Sequence, residues 1–178
     1  MPKFGAVATG ARFFLVAYNI NMDTPSVEKT HDVALTIRQM GKPAMKDGKP
    51  VLGPNGKKKF VPGKLRMVKA MGVPVGEGEK TQISMNLNNY LITPPHVAYE
   101  EALYEATKQG IKVTGSEIVG LVPLAPLLMA AHWHCHTQGI DPKGKSDEEM
   151  VQIAHDYLGL SDYKLFEPNK KIIEFAVK

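Results

Sequence analysis

Arg12 to Asn21 reads RFFLVAYNIN, and this stretch decides the fold class. It is aromatic and branched, with a rough two-residue alternation, which is the pattern of a β-strand. Thr24-Pro25 follows at once. That pair predicts a helix with Thr24 as N-cap and Pro25 in the first turn. Val27, Thr30, Ala34, Ile37 and Met40 fall on one helical face, and Gly41 ends the run. Working outward, Leu65–Val73 and Thr81–Leu91 read as two further strands, with Gly76 and Gly78 between them allowing an antiparallel pair. Thr93-Pro94 opens a second helix by the same cap logic, and Tyr99, Ala102, Leu103 and Ala106 form its apolar face. Ile111–Gly115 reads as a fourth strand.

Strand, helix, strand, strand, helix, strand is the order of the split βαβ plan. The expected class is α+β: a ferredoxin-like βαββαβ antiparallel sheet with helices on one face, followed by C-terminal helices. One of these runs from Pro123 or Pro126 to Gly139. The next has capping-box spacing at Ser146 and Glu149 and spans Asp147 to Leu158. Lys171–Val177 reads as an edge strand. Residues 42–63 carry Asp47-Gly48, Gly53-Pro54, Asn55-Gly56 and Pro62-Gly63, so they read as a loop or protruding hairpin.

A chain of 178 residues with 43% hydrophobic and 22% charged residues suits one soluble globular domain, 1–178. No apolar run is long enough to cross a bilayer, and Met1 to Gly10 lacks the pattern of a secretory signal. Cys135 stands alone, so no intrachain disulfide forms and a cytoplasmic location is expected. The net charge of +4 favours an anionic partner. Most of that excess lies in Lys42, Lys46, Lys49, Lys57, Lys58, Lys59, Lys64, Arg66 and Lys69, with Asp47 the only acid among them. Phe60 is the only aromatic in that span. Single-strand binders interleave basic groups with stacking platforms, so nucleic acid is a weak expectation. A solvated loop and a funnel for a polyanionic ligand tail both fit the lysines.

Asn19 and Asn21 share one strand face, as do Ser84 and Asn86. Amides and hydroxyls on a sheet face need partners, so these residues either meet water or floor a binding groove. Glu117 sits in an apolar, glycine-rich run and either orients a substrate amine, pairs with Arg12, or favours a helix start. His132 and His136 share a helical face, but no third ligand is specified, so no metal is expected.

Several runs, in order and spacing, resemble the C-terminal subdomain of glutamate formimidoyltransferases. They are GAVATGARFFLVAYNIN (5–21), RMVKAMGV (66–73), QISMNL (82–87), TPPHVAYEEA (93–102), VTGSEIVGLVPL (113–124) and FEPNKKIIEFAV (166–177). The resemblance implies transfer of a formimidoyl group from N-formimidoylglutamate to N5 of tetrahydrofolate. The co-substrate would lie in a groove between two α/β subdomains that face each other sheet to sheet. It also implies that the catalytic histidine belongs to the other subdomain, in a His-Pro-Arg-Met-Gly type motif that does not occur in these 178 residues. The chain would then carry no catalytic residue of its own and be inactive alone. Its partners would be an N-terminal subdomain, folate, formimidoylglutamate and, in a homodimer, a second copy. Expected ligand contacts are Gly5, Gly10, Arg12, Asn19, Asn21, Lys69, Ser84, Asn86 and Glu117, with Arg12 and Lys69 as carboxylate anchors. The readings that compete with this are a non-catalytic folate module and a basic nucleic-acid binder. The longer, more basic 42–63 segment and the His132–His136 cluster depart from the family pattern.

Overall fold

A computed structural model describes Gly5, Val7 and residues 9–177. The chain runs β1 (Val16–Met22), α1 (Val27–Ile37), then β2 (Lys42–Pro43), β3 (Met45–Lys46), β4 (Lys49–Pro50) and β5 (Phe60–Val61). It continues with β6 (Val68–Val75), β7 (Lys80–Leu87), α2 (Pro95–Lys108), β8 (Val113–Val119), α3 (Leu124–Gln138) and α4 (Asp147–Leu158). Two single-turn helices, α5 (Pro168–Lys171) and α6 (Ile173–Ala176), end the described chain.

Four strands form one sheet in the order β6-β7-β1-β8, and every neighbouring pair is antiparallel. The expected α+β class and antiparallel sheet are therefore present. The alternation read from the sequence sends Val16, Tyr18, Ile20 and Met22 of β1 and Ile83, Met85 and Leu87 of β7 into the core. Ala98, Ala102 and Ala106 of α2 and Val33, Ala34 and Ile37 of α1 join them, small residues letting the helices sit close. Thr30 and Thr81 meet inside this layer through a 2.6 Å hydroxyl contact.

Both outer edges of the sheet are partly covered. On β6, His31 Nδ1 accepts from the Gly72 N–H at 3.1 Å, and the Gln39 N–H donates to the Val68 carbonyl at 3.0 Å. Pro74 has no N–H to offer. Near β8, the Ser116 N–H and hydroxyl donate to the carbonyls of Gly159 and Leu158, and Val122 bridges Ile172 in parallel. Unpaired edge groups invite pairing with other chains, and these contacts interrupt that template.

Several local expectations are corrected. The cap of α1 is Ser26, whose hydroxyl accepts from the Lys29 N–H; Thr24 instead accepts from the Ser26 N–H. Thr93 does not cap α2 either, because its hydroxyl donates to the Arg66 carbonyl and Pro94 holds the cap position. β8 does not stop at Gly115. A side chain there would meet Asp162 Cβ at 2.5 Å and the Gly159 carbonyl at 2.6 Å, so the glycine serves close approach within a strand. Lys171–Val177 is not an edge strand: only Ile172 is extended, at φ −90° and ψ 122°, between the turns of α5 and α6. Met40 is exposed and lies outside the core.

Residues 42–63 contain short antiparallel pairs, with Lys42–Pro43 against Phe60–Val61 at the ends of the segment. Met45–Lys46 pairs with Lys49–Pro50 around Asp47-Gly48, whose φ angles of 50° and 75° match the mirror-image turn that suits twisted hairpins. Lys64, at the base, ion-pairs with Glu101 and Glu105 at 2.6 Å each. Burial pushes the Glu105 carboxyl up, but hydrogen bonds from Lys108 and Lys64 outweigh it and hold it below its ordinary value.

His96 makes the fold acid-sensitive. It lies in the first turn of α2, stacked on Trp133 with ring centroids 5.7 Å apart, and its Nδ1 is buried without a hydrogen bond among the described residues. Burial lowers its pKa from 6.5 to about 4. The unfolded chain therefore takes up a proton first as pH falls, so this stability is present above pH 6.5 and is lost toward pH 4. The loss should be about 2 kcal/mol. Urea unfolding at pH 7 and pH 4.5 should show it in the wild type, and His96→Phe should reduce it.

Candidate functional site

The side of the sheet opposite the core is polar, and the strand register arranges it in three rows. Gly115, Asn21, Gln82 and Val73 form the first; Glu117, Asn19, Ser84 and Met71 the second; Val119, Ala17, Asn86 and Lys69 the third. Directly opposed side chains on such a face have Cβ atoms about 5 Å apart, so neighbours within a row lie within reach of each other. A bulge makes the alignment possible. Asn21 pairs with Gly115 and Met22 with Val113, leaving Thr114 as the extra residue. Without it, Glu117 and Ser116 would exchange faces.

The first row is closed over and the others open toward solvent. Asn21 and Gln82 are 5% and 6% exposed, whereas Asn86 and Lys69 are exposed and Met71 is 52% exposed. The roof over the first row is the turn after α4. Asp162 Oδ2 accepts from Asn21 Nδ2 at 2.8 Å and from the Thr114 hydroxyl at 2.6 Å. Inside the face, Gln82 Nε2 donates to Asn21 Oδ1 at 2.7 Å and reaches Glu117 Oε2 at 3.5 Å. Asn19 Nδ2 donates to Gln82 Oε1 at 3.3 Å. The buried amides thus satisfy one another, as groups withdrawn from water must.

Beside β6, Lys69, Met71, Ser84 and Asn86 border a groove that His31 of α1 and Arg38, which follows α1, complete. The Arg38 Nε–H donates to the Gly41 carbonyl at 3.2 Å, which orients the guanidinium there.

These contacts bring six of the expected residues onto one face: Asn19, Asn21, Lys69, Ser84, Asn86 and Glu117. Arg12, Gly10 and Gly5 lie on the chain before β1, which starts at Val16 rather than Arg12. Arg12 and Gly10 are exposed there, and Arg12 is not joined to the amide network. Glu117 faces Asn19 and Gln82 rather than Arg12. Sequence reasoning missed Gln82 and Asp162. Gln82 shares the two-residue phase of Ser84 and Asn86, which was enough to find it. Nothing local marked Asp162, 141 residues from Asn21.

Among the described residues, no three His, Cys, Asp or Glu side chains are grouped to hold a metal ion. His134 stacks on Tyr157 with centroids 4.5 Å apart, and Trp133 of the same cluster stacks on His96. None of the described helices is long and apolar enough to cross a membrane.

Compared with known protein families, residues 17–178 match the formiminotransferase domain. The chain belongs to that family. The match takes in all three rows of the sheet face, and Gly5, Gly10 and Arg12 precede it. Among relatives of this formiminotransferase-domain chain is a formimidoyltransferase-cyclodeaminase of Dictyostelium discoideum, 38% identical over 100% of the chain and 30% of the relative. The formimidoyltransferase-cyclodeaminase of Rattus norvegicus is 36% identical over 99% of the chain and 29% of its own length. A glutamate formimidoyltransferase of Thermoplasma acidophilum is 35% identical over 86% of the chain and 44% of its own length. The chain thus spans about 30% of the length of these two formimidoyltransferase-cyclodeaminases.

Proposed function

We propose that the polar face of this sheet is the folate-binding floor of a glutamate formimidoyltransferase site, completed by a second subdomain. The observation that carries the reading is the three-row face itself, whose second and third rows expose polar side chains on the side away from the core. The strand order, with α1 and α2 against the core face, fits a ferredoxin-like plan whose other face is free for a ligand and a second layer.

In the proposed reaction, N5 of tetrahydrofolate attacks the formimidoyl carbon of N-formimidoylglutamate. The bond from that carbon to the glutamate nitrogen breaks. A base on the second subdomain takes the N5 proton, and glutamate leaves with a proton on its amine. This chain's part is to hold both reactants at attack distance, a large share of such a barrier. Ser84, Asn86 and Asn19 reach the ligand. Asn21 is engaged by Gln82 and Asp162 and holds the amide network at the closed end of the floor. Lys69 and Arg12 anchor carboxylates, with Arg38 beside Lys69 at the groove.

Formimidoyl transfer from N-formimidoylglutamate to tetrahydrofolate should be assayed with this chain alone and with it joined to the N-terminal segment of a relative. The joined protein should turn over and the chain alone should not. Arg12→Ala in the joined protein should weaken folate binding by about tenfold, the worth of one charged hydrogen bond. Failure of the joined protein to bind folate, together with RNA binding that folate does not compete, would overturn the reading.

A further inference from the structure

The amide network fixes which atoms the face shows to a ligand, and this follows from the carboxylate that anchors it. An ionised carboxylate only accepts hydrogen bonds. Asp162 Oδ2 therefore holds the Nδ2 end of Asn21, which turns Asn21 Oδ1 toward Gln82. Gln82 must answer with Nε2, and the carboxylate of Glu117 meets the same nitrogen. Gln82 Oε1 is then left to accept from Asn19 Nδ2. Two acceptors remain without a donor among the described residues: Asn19 Oδ1 and Glu117 Oε1. They belong to directly opposed residues in the second row, both half-buried, at the margin of the part of the face that meets solvent.

A paired acceptor surface, one member of it anionic, is complementary to a group with two adjacent N–H donors. We infer that Glu117 and Asn19 together read an amidine edge, N–H donors flanking one carbon, and that Gln82 is the positioning residue that sets their polarity. The inference rests on the transferase reading above, and two groups in that reaction carry the chemistry. One is the 2-amino and N3–H edge of the pterin; the other is the formimidoyl group of the donor. The opposite margin of the face, with Lys69, Arg38 and His31, is basic. Lys164 and Lys171 border the small cavity beside Glu117, so cations stand at both margins of the face.

Binding should be titrated with two probe pairs, using this chain joined to the N-terminal segment of a relative. The first is 5-formyltetrahydrofolate against its 2-desamino-2-methyl analogue, and the second is N-formimidoylglutamate against N-formylglutamate. In the wild type, the amidine-bearing member of one pair should bind at least about tenfold tighter, because a buried acceptor left unpaired is costly. The pair that discriminates identifies which group is read. Glu117→Ala, at a half-exposed position, should reduce that preference below about twofold while the fold is kept. Gln82→Met should do the same with Glu117 in place, and Gln82→Glu should not restore it, since that side chain cannot donate to Asn21. A purely structural role for Gln82 would weaken all probes equally. Discrimination unchanged by Glu117→Ala, or absent from both pairs in a wild type that still binds folate, overturns the inference alone. Absence of binding to every probe overturns the transferase reading as well.

Discussion

Replacing Ser84 with tryptophan is expected to weaken binding of 5-formyltetrahydrofolate by at least about 100-fold, or roughly 2.7 kcal/mol. Ser84 occupies the second row between Asn19 and Met71, on the side opposite Ile83 and Met85, which are in the core. An indole there would fill the space assigned to ligand without entering the core. The melting temperature should move by no more than about 2 °C, as for surface changes away from packed features. Titration and thermal melting of the one variant separate two pictures. If the face is a ligand floor, affinity collapses and stability holds. If it is a packing surface of the chain itself, stability falls sharply.

The second large effect is on folding. Gly72→Val should cost at least about 3 kcal/mol, in the range of strongly overpacked sites. A Cβ at Gly72 would stand 2.4 Å from the His31 nitrogen and 2.7 Å from its Cα, and both atoms are helix backbone that no rotamer change can move. The clash would push α1 off β6 and separate Gly72 N–H from His31 Nδ1, reopening the sheet edge. Gly76→Asn is the matched control: φ is +59° there, no atom lies within 4 Å, and asparagine tolerates that conformation, so its effect should be small. Urea denaturation of both variants checks the contrast.

Much of this was legible in the sequence, for identifiable reasons. RFFLVAYNIN alternates roughly and TQISMNLNNYL more clearly, enough for a core face and a polar face to separate on paper, and the structure keeps that separation in β1 and β7. Gly76 and Gly78 marked the turn between β6 and β7, whereas the turn signals in 42–63 did not say which of them closes a two-residue hairpin, and Asp47-Gly48 does. The errors came where one residue type serves two purposes. Gly115 reads as a strand end but sits mid-strand to admit the turn at Asp162. Thr24 and Thr93 read as caps but bond elsewhere. The run IIEFAV reads as a strand, yet Pro168 starts a helical turn just before it and its single extended residue makes one bridge to Val122. The candidate site was visible only in part. Periodicity gave the residues sharing a face, but the polarity of the amides depends on Asp162, which meets Asn21 only in the folded chain.

The most direct test is to map the binding of 5-formyltetrahydrofolate onto this chain by NMR. Titration should shift the side-chain amide signals of Asn19 and Asn86 and the backbone signals of Ser84, Lys69 and Glu117, all in the second and third rows. Shifts confined to the lysine-bearing hairpins between Lys46 and Lys59, with those five residues unmoved, would contradict the account.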